Sequence, residues 1–88
     1  MDIDSVHARI EHESADLRAR YPQITACSTA LVQWNEAGKK RYSLKLDLRW
    51  PQHQTLLNGD PMDEVGAAIS AAFSRARQRV QEAVWAGR

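Results

Sequence analysis

The stretch RYSLKLDLRW, residues 41–50, constrains the fold more than any other part of the chain. Tyr42, Leu44, Leu46, Leu48 and Trp50 alternate with Ser43, Lys45, Asp47 and Arg49. Successive side chains of a β-strand point to opposite faces, so strict period two predicts a strand with one apolar and one wet face. Such a strand belongs in an antiparallel sheet covered on one side only. The rest of the chain must therefore supply a second layer over the leucines.

The flanking segments read as that layer. Ile3, Val6, Ile10, Leu17 and Tyr21 recur at helical spacing, with the small Ser14 at the missing turn. Asp2 or Asp4 caps the start, and Pro22 ends the element, which predicts a first helix over roughly residues 4–20. Ile24–Trp34 is rich in β-branched residues and reads as a strand. Asn35–Lys40 reads as a hairpin loop in which Gly38 takes a positive φ. Trp34 and Trp50 share the parity of the apolar face and are expected to pack at the sheet ends. Pro51 interrupts the second strand, and His53–Asn58 makes a shorter third.

Gly59-Asp60-Pro61 has the form of a helix start, with Asp60 as N-cap, Pro61 at the first helical position, and Asp63 and Glu64 in the first turn. Val65, Ile69, Ala72, Phe73, Ala76, Val80, Ala83 and Val84 then keep one face apolar for about six turns. Many of these are alanine, so this second helix can lie close to a sheet. The predicted order is helix-strand-strand-strand-helix. Residues 1–88 form a single α+β domain, a two-layer sandwich with a three-stranded antiparallel sheet and both helices on one face.

Composition narrows the class. No apolar run approaches the roughly 20 residues of a membrane span, so no membrane partner is expected. The acidic start Met1-Asp2-Ile3-Asp4 lacks the apolar segment of a secretory signal. The single Cys27 permits no internal disulfide, fits a reducing cytoplasm, and lies in an apolar strand as a buried, inert thiol.

Charge matters here through its placement, since the formal net charge is only +1. Lys39, Lys40, Arg41, Lys45 and Arg49 face a single acid, Asp47, in residues 39–50. Arg75, Arg77, Arg79 and Arg88 face Glu82 alone at the C-terminal end. The first twenty residues lean the other way, with Asp2, Asp4, Glu11, Glu13 and Asp16 against Arg9, Arg18 and Arg20. Two readings fit this asymmetry: a surface for a polyanion, or solvated faces.

Signatures of catalysis are absent. The chain has no phosphate-cradling glycine loop, nucleophile elbow or cysteine/histidine metal spacing. His7 and Glu11 lie one turn apart, but His12 is rotated away, and zinc needs three or four converging ligands. His53 has no identifiable partner. Asp2 with Asp4, and Asp63 with Glu64, sit at helix starts where the helix dipole accounts for them. No catalytic residue, metal or cofactor is therefore expected. A sheet-surface RNA reader wants aromatics on the wet face of its central strand, and that face carries Ser43, Lys45, Asp47 and Arg49 instead. Trp85 lies off the apolar stripe, and its exposure stays open.

On the second helix Arg75 and Arg79 share one flank of the apolar stripe and Arg77 takes the other. Their stems can cover apolar surface while the guanidinium groups reach outward. Such a fork can grip phosphates bidentately, or simply offset the dipole at the helix C-terminus.

The element order first suggests a double-stranded-RNA-binding domain. Those domains need lysines at the start of the second helix, where Asp60-Pro61-Met62-Asp63-Glu64 would repel phosphate. Arg41–Val80 offers a closer likeness: an alternating strand, a short strand, a polar turn, and DEVGAAISAAFSRARQRV. This pattern resembles the hibernation-promoting factor and ribosome-associated inhibitor family, also called sigma modulation proteins. Ala67-Ala68-Ile69, followed by Phe73, Arg75 and Arg79, has the form of that family's final helix. The resemblance implies a cytoplasmic protein that binds small-subunit rRNA in the channel for messenger and transfer RNA. It would hold ribosomes inactive by occupancy, without chemistry of its own. Arg75 matches a basic position of the family helix and Arg79 lies one turn on. Lys45 and Arg49 join them from strand parity, and Arg77, Lys39, Lys40 and Arg41 from the same basic clusters.

The family's order begins with a strand ahead of the first helix, for which this sequence offers only Met1 to Ile3. Ile24–Trp34 is then expected at an open sheet edge, which invites pairing with another chain. The competing expectation is accordingly a homodimer through that edge, a protein-interaction module that does not bind RNA.

Overall fold

Helix α1 (Ile3–Arg20), strands β1 (Ala26–Glu36), β2 (Lys39–Trp50) and β3 (His53–Asn58), and helix α2 (Val65–Ala86) follow in the expected order. The computed structural model describes residues 3–86, with side chains through Ala83. The alternating segment is the middle strand, paired antiparallel with β1 on one side and β3 on the other. Leu44, Leu46 and Leu48 are fully buried beneath Ile69, Ala72, Phe73, Ala76 and Val80 of α2, and α1 adds Val6 and Leu17 to the same core. Both helices thus cover the leucine face, giving the α+β sandwich. The roles considered for Asp2, Val84, Trp85 and Arg88 fall outside the described side chains.

The sheet connections are tighter than expected. The β1–β2 ladder runs from Ala26↔Arg49 to Glu36↔Lys39, leaving only Ala37 and Gly38 as the turn. Their φ values of 52° and 80° are both positive, as a two-residue turn matched to strand twist requires. The expected six-residue loop therefore shrinks to two, and both strands lengthen. Pro51 and Gln52 make the second turn, with Gln52 at φ 68° after the proline, the arrangement of a type II turn.

Helix α2 begins later than its proline suggests. Asp60 precedes Pro61 and is pushed toward extended geometry. Met62 then bridges to Tyr42 through two main-chain hydrogen bonds of 2.8 Å. The first turn is marked by the Ala68 N–H donating to the Glu64 carbonyl at 3.0 Å. Asp60 is therefore not the cap. At the other end of the chain, Ile3 is 74% exposed and contributes nothing to the core.

The alanines of α2 allow close approach at Gly59, whose N–H donates to the Leu44 carbonyl at 2.9 Å and whose carbonyl accepts from the buried Ser43 hydroxyl at 2.7 Å. A Cβ added there would lie 2.9 Å from the Leu44 oxygen and 3.0 Å from the Ala72 Cβ. Gly59→Ala is expected to destabilise the fold by about 1–3 kcal/mol through this overpacking. Thermal denaturation reads the effect, and an unchanged melting temperature would contradict the close approach.

Candidate nucleic-acid interface

The helix-free face of the sheet is built by register. Arg41, Ser43, Lys45, Asp47 and Arg49 of β2 lie opposite Trp34, Val32, Ala30, Ser28 and Ala26 of β1. Toward β3, Lys45 lies opposite Asn58, Asp47 opposite Leu56 and Arg49 opposite Gln54. Cross-strand partners share a face. Leu56 is consequently 73% exposed. A shallow groove of about 320 Å³ runs across this face, bordered by Ser28, Ala30, Lys45, Asp47, Leu56 and Asn58.

The same register corrects the assignment of Trp34. It shares the outer face with Arg41 and does not point toward the core. Ile24 is buried but precedes the ladder, so its parity does not carry through to Trp34. Thr25 interrupts the alternation: its N–H and its hydroxyl both donate to the Arg49 carbonyl, at 2.7 and 3.1 Å. The tight Ala37–Gly38 turn is the signal that could have set the register, since it fixes Trp34 opposite Arg41. Trp50 keeps its parity with Leu48, and its ring lies 5.7 Å from that of His53, the partner the histidine lacked in sequence.

The basic residues divide by what compensates them. Arg41 reaches Asp63 Oδ1 at 2.6 Å and the Pro61 carbonyl at 3.5 Å; its Nε lies 3.5 Å from Glu36 Oε2 as an ion pair without hydrogen-bond alignment. Arg77 ties α2 to α1 through Glu13 at 3.5 Å and also donates to the Ser74 hydroxyl at 3.2 Å. Both side chains are about one-third exposed, at 30% and 34%. Arg75 donates to the Asn58 carbonyl at 2.9 Å and pairs with Asp60 at 3.3 Å. Arg49 pairs with Asp47 at 3.3 Å, and Asp47 also accepts from Gln54 at 3.1 Å. Pairs as exposed as those of Arg49 and Arg75 are worth about 0–1 kcal/mol, so these two are held lightly.

Four of the predicted residues have no such partner. Lys39, Lys40, Lys45 and Arg79 are exposed and make no ion pair or side-chain hydrogen bond among the described residues. Lys45 stands on the outer face beside β3. Arg79 stands on α2, bordering a cleft of about 290 Å³ with Thr55, Leu56, Leu57, Arg75, Gln78 and Glu82. The two therefore straddle β3, one on each side of the sheet. Lys39 and Lys40 sit at the hairpin end, about 17–20 Å from Lys45 along β2. The eight predicted residues thus form no single cluster: Lys39, Lys40, Arg41, Lys45 and Arg49 follow the middle strand, Arg75 and Arg79 lie over β3, and Arg77 stands apart against α1.

Two cations on α1 were obscured by their acidic sequence context. Arg9 donates to the Ser70 hydroxyl and so links α1 to α2. Arg18 is exposed beside Cys27. Burial pushes the Cys27 thiol up from its ordinary pKa, against the opposing pull of its contact with the Ser14 hydroxyl at 3.8 Å and of the Arg18 charge. A raised thiol pKa is the opposite of what a nucleophile needs. Among the described residues no three His, Cys, Asp or Glu side chains gather as metal ligands, and no helix is long and apolar enough to cross a membrane. Comparison with protein-family models, with curated proteins and with solved structures finds no match to this chain.

Proposed function

We propose that this protein is a ribosome-associated modulator that binds small-subunit rRNA and blocks translation sterically, without catalysis. The observation that carries the reading is the set of uncompensated cations, Lys39, Lys40, Lys45 and Arg79, exposed along β2 and astride β3. A phosphate backbone rewards such charges by releasing its condensed counterions. Arg49 and Arg75, whose internal partners are weak, can join them by exchanging a carboxylate for a phosphate. The likeness of Arg41–Val80 to the hibernation-promoting factor family supports the ribosome as the source of that backbone. On this reading the protein works in the cytoplasm and needs no cofactor.

Co-sedimentation of the purified protein with small ribosomal subunits tests the proposal. Four phosphate contacts predict binding that weakens about 50- to 150-fold between about 50 and 200 mM salt. A protein that stays in the supernatant at the lower salt concentration would contradict it.

A further inference from the structure

The sheet has two edges, and only one is protected. Strand β3 is six residues long, the Arg75 guanidinium donates to its Asn58 carbonyl, and Arg79 and Glu82 border it. Short length and flanking charge are devices that keep an edge from pairing with another chain. Strand β1 has neither over its middle, with Arg18 near Cys27 at its start and Glu36 at its end. It runs for eleven residues, and Ala26 through Asn35 contains neither a charge nor a proline. Alternate residues of such an edge point both N–H and C=O away from the ladder. Among the described residues, none of the main-chain hydrogen bonds made outside helices and ladders involves residues 26–36.

We infer that β1 pairs antiparallel with β1 of a second copy of this chain, about a two-fold axis at Leu31, making a continuous six-stranded sheet. The strand is self-complementary in that register. Leu31, 38% exposed on the helix side, meets Leu31 of the second copy. On the outer face Ala30 lies opposite Val32, and Trp34 lies opposite the small Ser28. No like charges oppose one another. Glu36 falls opposite Ala26, whose own neighbour on β2 is Arg49. The carboxylate of one copy thus approaches the guanidinium of the other across a methyl side chain. Beside the start of β1, Ala15, Arg18 and Ala19 of α1 line an open depression with Pro22 and Ile24, so what α1 presents to the incoming copy there is two methyl groups and the exposed, flexible Arg18 side chain. Lys45 lies one strand in from this edge, beside Ala30, and Arg79 lies beyond β3. Neither enters the pairing, so the inference does not rest on ribosome binding and fails or stands separately from it.

Sedimentation velocity over about 1–100 µM is expected to show a concentration-dependent dimer. Leu31→Lys sets two ammonium groups against each other at the axis and should weaken the dimer at least tenfold. Circular dichroism checks that this variant still folds. Independently of that, Leu31→Cys in a Cys27→Ser background should cross-link on mild oxidation with diamide. Directly opposed residues have Cα atoms about 4.5–5.5 Å apart, within disulfide reach. Gln33→Cys in the same background should not cross-link, because its copy lies four residues away, about 13 Å. A monomer throughout the concentration range would overturn the inference. So would a dimer indifferent to Leu31→Lys, or cross-linking at Gln33→Cys as ready as at Leu31→Cys.

Discussion

Phe73→Ala is expected to cost about 3–5 kcal/mol of folding stability, the usual penalty for emptying a well-packed aromatic site. Phe73 is fully buried and belongs to one core cluster with Leu44, Leu46 and Leu48 below it and Leu17 from α1. The sheet can close on the cavity only by drawing α2 inward, and the small Ala72 and Ala76 beside Phe73 already let α2 lie near the sheet. Relaxation is therefore limited and the cavity term persists. A domain of this size has on the order of 5–10 kcal/mol in total, so the variant should be largely unfolded near physiological temperature. Urea denaturation followed by circular dichroism measures the loss. A penalty below about 1.5 kcal/mol would mean that the two layers are not joined through Phe73.

The second large effect concerns binding. Reversing both Lys45 and Arg79 to glutamate should weaken association with small ribosomal subunits by at least about 25- to 60-fold at 0.1 M salt, the worth of two lost phosphate contacts before any repulsion is added. Neither side chain holds a partner among the described residues, so the folded state should melt within a few degrees of the parent protein. That combination separates a loss of affinity from a loss of structure. Unchanged pelleting of the double variant would remove β3 and its surroundings from the interface.

The layered fold was legible because β2 states its own geometry: five apolar residues in strict alternation fix a one-sided sheet, and two apolar helical stripes must cover it. Local chemistry misled in two places. Pro61 after Asp60 has the form of a helix start, yet the two hydrogen bonds between Met62 and Tyr42 outweighed it. Strand parity alone places Trp34 with the apolar face, whereas the register is set at the hairpin, by a turn of two residues, and turns it outward. The candidate site was less legible than the fold. The pairing of Arg49 with Asp47 could have been read from their spacing on one strand face. That of Arg77 with Glu13, or of Arg41 with Asp63, could not, because only the packed structure brings those segments together. Sequence therefore located the basic residues without distinguishing those that fasten the fold from those left over for a partner.

Two arginines on opposite flanks of one helix separate the cations that fasten the fold from those left over for a partner. Among the described residues Arg79 meets no acid, whereas Arg77 is tied to Glu13. The salt dependence of ribosome binding should be measured for the parent protein, Arg79→Gln and Arg77→Gln. Arg79→Gln is predicted to lower the slope of log affinity against log salt by about one, and Arg77→Gln to leave it unchanged. Equal slopes for all three proteins, or a larger change for Arg77→Gln, would mean that internal pairing does not decide which cations meet the ribosome.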